Sequence, residues 1–161
     1  MTLSELIKPT DVVLDLCCGS CNFTKKYKTR FSIGIDIHEP YLEQRDGFMP
    51  LCQDVVNIDR MFLPNSFDVV LCMDGIEHMT EGAALHMLKS AELIAKRSVI
   101  IFTPNESTIT SNDNYDPYQK HISCWPESYW IGRGYETKVF VNKTKGCPMV
   151  LAWMNPYKEM I

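Results

Sequence analysis

Four aspartates follow hydrophobic, strand-like runs and have the chemistry of a ligand site: Asp15, Asp36, Asp54 and Asp74. In a parallel sheet the carboxyl ends of the strands lie at one edge, and ligands bind there, near the point where the strand order reverses. We therefore expect the four carboxylates to surround one crevice. Asp36 follows the Gly19 turn by about 20 residues, the place from which an acid accepts hydrogen bonds from ribose hydroxyls. Asp54 would accept a hydrogen bond from the amine of a base, so the predicted ligand is a nucleoside.

The charge of this crevice indicates which nucleoside it binds. A dinucleotide needs Gly-x-Gly-x-x-Gly before a helix, so that backbone amides can bind the pyrophosphate. The matching positions here are Cys17, Gly19 and Asn22. Carboxylates instead suit a ligand with positive charge, such as the sulfonium and ammonium groups of S-adenosylmethionine. The sequence favours this methyl donor over NAD, and an NAD-dependent oxidoreductase is the alternative that the missing fingerprint disfavours.

The elements that must position these acids alternate along the chain. Apolar, β-branched runs predict a strand from Asp11 up to the Gly19 turn and further strands over 31–36, 48–53, 67–73, 98–103, 135–142 and 149–154. Apolar spacing and helix-ending residues predict helices over 3–8, 22–30, 40–44, 75–96 and 125–133. This order predicts an α/β, Rossmann-like, doubly wound fold. We expect a mostly parallel seven-stranded sheet with a C-terminal antiparallel hairpin and helices on both faces.

Composition limits the class of protein. The 161 residues are 45% hydrophobic, which suffices for the core of a single domain over 1–161. The net charge of −4 and the scattered basic residues give no footprint for nucleic acid or for an acidic membrane. No apolar run reaches the roughly 18 residues of a membrane span, and the first ten residues do not resemble a signal peptide, so we expect a cytoplasmic protein. The seven cysteines lack a second pair at zinc-like spacing, so we expect reduced, packing cysteines and no metal site.

Several segments resemble the motifs of one enzyme family. The segment 13–23, Val-Leu-Asp-Leu-Cys-Cys-Gly-Ser-Cys-Asn-Phe, resembles the first motif of class I S-adenosylmethionine-dependent methyltransferases, and 33–37, Ile-Gly-Ile-Asp-Ile, resembles the second. The similarity continues through 53–54, 67–79, 100–105, 118–125 and 134–135, as in small members of the family. It spans nearly the whole chain, and the motifs are specific when taken together.

The resemblance implies a role for each matching residue. Asp15 would face the methionine portion of the donor, and Gly19 would let the backbone approach it. Asp36 would bind the ribose, while Asp54 and Val55 would hold the adenine.

Three further positions extend the implied donor site. Cys17 and Ile37, which belong to the two motifs, are included among the donor-binding residues, and Asp74 lines the junction between donor and acceptor. The family's usual Gly-x-Gly-x-Gly is Cys17-x-Gly19-x-Cys21 here. A cysteine that takes a positive φ at either position would cost about 1 kcal/mol or more in strain or lost affinity.

Methyl transfer requires alignment of an acceptor lone pair with the sulfonium methyl, exclusion of water and sometimes a base. Asp74 and His121 are the catalytic candidates, with His121 contacting the acceptor or removing its proton, or else fixing its own loop. Glu77 and His78 have the place of residues that orient the following helix, and Asn105 lies at the pocket edge or shapes a turn. Aromatic residues of the same region would wall the acceptor pocket or belong to the core: Tyr115, Tyr118 and Trp125.

The acceptor is expected to be an oxygen or nitrogen atom of a small molecule or metabolite. Few residues precede the first strand, so we expect an open acceptor site, built by the loop 105–124 or completed by another subunit, including a second copy of the chain. The alternative from another class is a non-catalytic module that kept the fold and binds a nucleotide or a partner. It predicts weak donor binding and an exposed apolar patch.

Overall fold

The seven strands form one sheet in the order β3-β2-β1-β4-β5-β7-β6. The structure, a computed structural model, describes residues 2–20, 22, 24–106, 117–141 and 146–157. The strands are β1 (Val12–Leu16), β2 (Phe31–Asp36), β3 (Phe48–Cys52), β4 (Phe67–Met73), β5 (Ala95–Pro104), β6 (Glu136–Val141) and β7 (Pro148–Met154). The helices are α1 (Leu3–Leu6), α2 (Glu81–Ile94) and α3 (Glu127–Gly132), with short 3-10 turns at Thr24–Lys26, Glu39–Tyr41, Val55–Arg60, Ile76–His78 and Pro117–Gln119.

Pairing within the sheet confirms the predicted fold class. β1 pairs in parallel with both β2 and β4, and β2–β3 and β4–β5 are parallel as well. β7 is antiparallel to both of its neighbours, β5 and β6. The chain leaves β1 toward β2 on one side and reaches β4 on the other, so the strand order reverses at β1. A ligand crevice is expected outside the carboxyl end of this strand.

One face of the sheet is covered by α2, α3 and the 3-10 turn Val55–Arg60. Along α2 the buried apolar residues recur at helical spacing and pack with the sheet in a single core: Ala84, Met87, Leu88, Ala91 and Ile94. Thr80 begins the helix by accepting a hydrogen bond from the Ala83 amide at 3.4 Å. The predicted helix 75–96 is therefore divided, because Met79 has an extended backbone between the 3-10 turn Ile76–His78 and α2.

The opposite face has a thinner cover. α1 and the segment after it pack on β1, β4, β5 and β7, with Leu6 and Ile7 buried. The predicted helices 22–30 and 40–44 are wrong in extent, since only the 3-10 turns Thr24–Lys26 and Glu39–Tyr41 form there among the described residues. Neither segment has an apolar stripe long enough to stabilise a longer helix. Thr24 is buried instead and accepts a hydrogen bond from Arg45 Nη2 at 3.1 Å.

The shortened cover leaves an apolar groove of about 360 Å³ on this face. Its walls include Leu3, Tyr27, Phe102 and Phe140. Across the described part of the chain, none of the helices has the length and hydrophobicity needed to traverse a lipid bilayer.

Candidate functional site

A cavity of about 720 Å³ opens at the carboxyl ends of β1, β2 and β4. This volume lies within the range of small-molecule and cofactor sites. Most of the residues predicted to bind the donor line it: Cys17, Gly19, Asp36, Ile37, Asp54, Val55 and Asp74. The structure thus brings together, at the point where the strand order reverses, residues from four separate segments of the chain.

The turn after β1 forms the floor of the cavity. Gly19 has a φ of +51°, and Cys17 has a φ of +54°, a conformation that glycine adopts without strain and cysteine does not. The cost expected for a cysteine at positive φ therefore applies to Cys17, while Cys21 lies outside the described residues. The turn is fixed by hydrogen bonds from its amides, since Cys18 N donates to Ile35 O at 3.0 Å and Gly19 N donates to the Asp36 carboxylate.

Asp36 connects the ends of β1 and β2. Its Oδ2 accepts from Gly19 N at 2.8 Å, and its Oδ1 accepts from His38 N at 2.8 Å. These two bonds hold the carboxylate in one orientation at the edge of the cavity. Each carboxylate oxygen can accept a second hydrogen bond, so hydroxyl groups of a ligand can still bind it.

Asp54, Ile37 and Val55 form the next part of the wall. Asp54 Oδ1 accepts from Val56 N at 2.9 Å and begins the 3-10 turn Val55–Arg60. Ile37 is exposed and Val55 is buried, and both line the cavity. An acid beside two apolar side chains can hold a planar base by hydrogen bonding its edge and packing on its face.

Asp15 occupies a different environment from the other acids. It is 2% exposed, it is not part of the cavity wall, and its Oδ2 has no hydrogen-bond partner among the described residues. The pKa of Asp15 is raised to about 7, chiefly by burial and to a lesser extent by the charge of Asp36, although a hydrogen bond from Thr24 and the charge of Arg45 act in the opposite direction. The implied contact of Asp15 with the methionine portion of a donor stays a prediction.

Asp74 follows β4 and faces the cavity beside the β1 turn. Its φ is +53°, and its amide donates to Phe102 O on β5 at 2.7 Å. A side chain at the next position, Gly75, would place its Cβ 2.5 Å from Cys17 Cβ. The glycine therefore allows the ends of β1 and β4 to touch, which keeps Asp74 next to the turn.

His121 lies beside the cavity with two residues that the sequence analysis had assigned to helix orientation. One potential ligand atom from each of Glu77, His78 and His121 lies within 4.8 Å of the other two. The two imidazole rings have centroids 4.8 Å apart. His78 lines the cavity, and Glu77 is buried behind it. Both catalytic candidates are near this cluster, since His121 belongs to it and Asp74 precedes Glu77 by three residues in the chain.

The loop after β5 supplies residues that sequence reasoning did not assign to the donor site. Tyr118, Gln119 and Ile122 line the cavity opposite the strand ends, and Tyr41 lines it from the other side. The ring of His38 is 4.4 Å from Tyr41 and 6.0 Å from Tyr118, measured between centroids. The polar, aperiodic composition of 105–124 was the available signal, but it could not specify which residues turn inward.

Three other candidates in this region have different outcomes. Trp125 is buried in the core, and its indole nitrogen donates to Ser123 Oγ at 2.8 Å. Asn105 accepts a hydrogen bond from Glu127 N at 2.6 Å and so holds the start of α3. Tyr115 lies outside the described residues.

Comparisons with known proteins agree with this geometry. A family model described as a methyltransferase domain matches residues 13–97, more than half of the chain. The comparison with curated proteins gave no match.

Solved structures share the fold at low sequence identity. An S-adenosylmethionine-dependent methyltransferase from Archaeoglobus fulgidus is 18% identical, with a TM-score of 0.68 over 93% of this chain and 89% of that one. A structure from Bacillus halodurans C-125, described as a methyltransferase, is 13% identical, with a TM-score of 0.67 over 93% and 94% of the two chains. A Haloferax volcanii methyltransferase in complex with the Trm112 methyltransferase activator is 14% identical, with a TM-score of 0.64 over 91% and 83%.

The family match confirms the resemblance stated from the motifs, and the structural similarities confirm the sheet. The chain therefore belongs to the methyltransferase domain family and has the fold of the class I S-adenosylmethionine-dependent methyltransferases, enzymes that take their methyl group from that donor.

Proposed function

We propose that the cavity binds S-adenosylmethionine and that the protein transfers the methyl group of this donor to an oxygen or nitrogen atom of a small-molecule acceptor. The observation that carries this proposal is the Asp36 carboxylate, held by the Gly19 and His38 amides at the mouth of the cavity. In this arrangement Asp36 accepts hydrogen bonds from the ribose hydroxyls. Asp54, Ile37 and Val55 hold the adenine.

The methyl-bearing end of the donor then lies toward Asp74. Asp36, Asp54 and Asp74 all line the cavity, so their charges favour a ligand with a sulfonium and an ammonium group. Cys17 and Gly19 approach the donor through their backbone. Asp15, which is buried behind the turn, faces the methionine portion of the donor.

The acceptor side of the cavity is formed by the second half of the loop after β5. Tyr118, Gln119 and Ile122 cover the cavity there, which supports the expectation that this loop builds the acceptor site. His121 contacts the acceptor or takes its proton. A second subunit can complete this side of the acceptor site. A precedent for a bound partner is the Haloferax volcanii methyltransferase, which is in complex with an activator protein.

The test is calorimetric titration of the protein with S-adenosylmethionine, S-adenosylhomocysteine and NAD. We expect micromolar binding of the first two and none of NAD. Asp36→Ala should weaken binding at least about tenfold, since a buried, charge-assisted hydrogen bond contributes about 1.5–3 kcal/mol. Asp46→Ala, which removes an exposed carboxylate outside the cavity, is the matched control and should bind as the wild type does.

Two results of this titration would contradict the proposal. A folded protein that binds neither S-adenosyl compound would overturn the donor assignment and favour the non-catalytic alternative. Equal losses in Asp36→Ala and Asp46→Ala would show that binding does not depend on the assigned ribose contact.

A further inference from the structure

The cluster of Glu77, His78 and His121 has the composition of a metal site. It combines one carboxylate and two imidazoles, and the candidate ligand atoms all lie within 4.8 Å of one another. Atoms bound to a metal ion at about 2.1 Å are at most about 4.2 Å apart, so small side-chain rotations would bring these three onto one ion. We propose that Glu77, His78 and His121 bind a divalent first-row transition-metal ion at the acceptor end of the cavity.

The orientation of His78 supports this assignment. Its Nδ1 lies 3.1 Å from the carbonyl oxygen of Lys120. A carbonyl oxygen can only accept, so Nδ1 carries the proton and Nε2 is left with its lone pair in the neutral ring. Metal-binding histidines are commonly fixed in this way, with the second ring nitrogen donating to a backbone carbonyl.

Glu77 is held in place from both its side chain and its backbone. Its Oε2 accepts from Thr103 Oγ1 at 2.9 Å, and the residue is 2% exposed. Its backbone carbonyl accepts from Ile122 N at 2.9 Å and Ser123 N at 3.2 Å. These bonds attach the segment that contains His121 to the 3-10 turn that contains Glu77 and His78, so ligands from distant parts of the sequence stay together.

The cluster places two acceptor groups side by side. The Glu77 carboxylate accepts hydrogen bonds, and His78, when protonated at Nδ1 alone, presents an acceptor at Nε2. A divalent metal ion shared by these groups would stabilise them at this range.

The donor set also indicates which metals would bind. Two imidazole nitrogens and one carboxylate suit manganese, iron, cobalt, nickel or zinc, whereas magnesium and calcium prefer oxygen ligands only. Three protein ligands leave coordination positions open. His78 lines the cavity, so these positions face the place of the acceptor.

This part of the inference rests on the proposed methyl transfer and narrows its acceptor to a hydroxyl group. A hydroxyl oxygen bound to the ion loses its proton more readily, because the metal stabilises the oxyanion. The proton leaves to solvent, an oxygen lone pair forms the new bond to the methyl carbon, and the carbon–sulfur bond breaks with its electron pair going to sulfur. The products are the methyl ether and S-adenosylhomocysteine, and His121 then acts as a metal ligand rather than as a base.

The test is titration of the chelator-treated protein with Co²⁺, followed by visible absorption spectroscopy. We expect one equivalent to bind with d–d bands and without the intense sulfur-to-cobalt charge-transfer band that cysteine ligands would give. His78→Asn and His121→Asn should each weaken binding at least about 100-fold, because loss of a group that only hydrogen-bonds to a metal ligand already costs about 10–100-fold. His86→Asn is the matched control, since His86 lies on α2 beside Asp59 and outside the cluster.

S-Adenosylhomocysteine binding is measured on the same samples by calorimetry. Retained S-adenosylhomocysteine binding in a variant that has lost Co²⁺ shows that the variant is folded and that the donor site is independent. A protein that binds S-adenosylhomocysteine but no Co²⁺ at millimolar concentration overturns the metal site and leaves the donor assignment intact. Co²⁺ binding that is unchanged in His78→Asn and His121→Asn, or that shows a sulfur band, overturns it as well.

Discussion

Single residues in the β1 turn and behind it combine function with energetic cost. Cys17 has a positive φ although it is not glycine, and its sulfur lies against Cys72, whose pKa is raised because its thiol donates a hydrogen bond to Cys17 and is buried. Asp15 is a carboxyl group buried next to this turn. Both residues occupy conformations or environments that are locally unfavourable, and both adjoin the proposed donor site. Such local cost is common where a backbone must approach a ligand closely.

The strain at Cys17 can be measured by comparing two substitutions. Cys17→Gly and Cys17→Ala both remove the thiol, but only glycine relaxes the backbone at φ +54°. Positive φ costs a side-chain residue about 1–2 kcal/mol, and the flexibility of glycine in the unfolded chain offsets about half of this. We expect Cys17→Gly to exceed Cys17→Ala in free energy of unfolding by about 0.5–1 kcal/mol in urea titrations. An alanine variant of equal or greater stability would contradict the strained conformation.

Asp15 should make stability depend on pH. Its pKa is about 7 in the folded protein against 3.8 for the unperturbed group, because burial disfavours the carboxylate. Between these pH values the native state binds more protons than the unfolded state. The contribution of Asp15 to the free energy of unfolding is therefore fully present below about pH 4 and is lost as the pH rises through 7. The loss for this group is on the order of 4 kcal/mol.

The measurement is the free energy of unfolding from pH 4 to pH 8 for the wild type and for Asp15→Asn. The difference between the two curves isolates this residue, and the variant should gain stability relative to the wild type as the pH rises. Parallel curves would show that the buried carboxyl does not remain protonated.

At the scale of elements, α2 shows how one helix positions the site. The helix begins directly after the 3-10 turn that contains Glu77 and His78, and its buried stripe packs on the sheet. The packing of α2 therefore fixes where the preceding turn can lie. Thr80, which caps the helix, and Ala83 in its first turn both line the cavity.

Two leucines on α2 provide a matched test of this packing. Leu88 is fully buried, whereas Leu93 is 48% exposed. Leu88→Ala should lower the free energy of unfolding by about 3 kcal/mol, because it removes buried methyl groups and leaves a cavity. Leu93→Ala should change it by less than about 0.5 kcal/mol. Similar losses in the two variants, measured by urea unfolding, would contradict the assigned helix face.

At the scale of the whole molecule, the two faces of the sheet are covered unequally. One face has α2 and α3, and the other has α1 and short turns, with an apolar groove between them. Arg97 on β5 attaches the N-terminal segment to this thinner face. It donates to Leu6 O at 2.9 Å and forms an ion pair with Asp11, which is buried and also accepts from Lys8 N at 2.7 Å.

Removal of this attachment should loosen the N-terminal segment. Arg97→Met keeps the aliphatic stem but leaves the Asp11 carboxylate buried without its cationic partner, and we expect a loss of about 2 kcal/mol. The figure is below that of a fully buried pair because the Arg97 side chain is 32% exposed. Faster proteolysis near residue 8 should accompany the loss.

The adjacent lysine supplies the control for this change. Lys96 pairs with Asp68 at 3.8 Å, and its side chain is 51% exposed. Lys96→Met should therefore change stability by less than about 0.5 kcal/mol and leave the proteolysis pattern unchanged. An equal effect of both variants would show that Arg97 does not hold the segment.

The strands, the fold class and the residues at the strand ends can be predicted from the sequence alone. The predicted bounds 31–36 and 67–73 agree with β2 and β4, because a strand buried on both faces is a short apolar run that local composition reveals. Asp36, Asp54 and Asp74 were placed in the cavity for the same reason, since the end of a run is visible in the sequence and parallel strands end at one edge.

Features that depend on contacts between distant segments appear only in the folded structure. Asp15 is buried behind the turn, Cys17 has a positive φ, and two predicted helices are reduced to single turns. Burial and helix length follow from the packing partners of a segment rather than from its local composition. His121 also lies beside Glu77 and His78, held there by backbone hydrogen bonds from the loop after β5. No local pattern contains that juxtaposition, since the loop has no period and its position is set by the surface on which it folds.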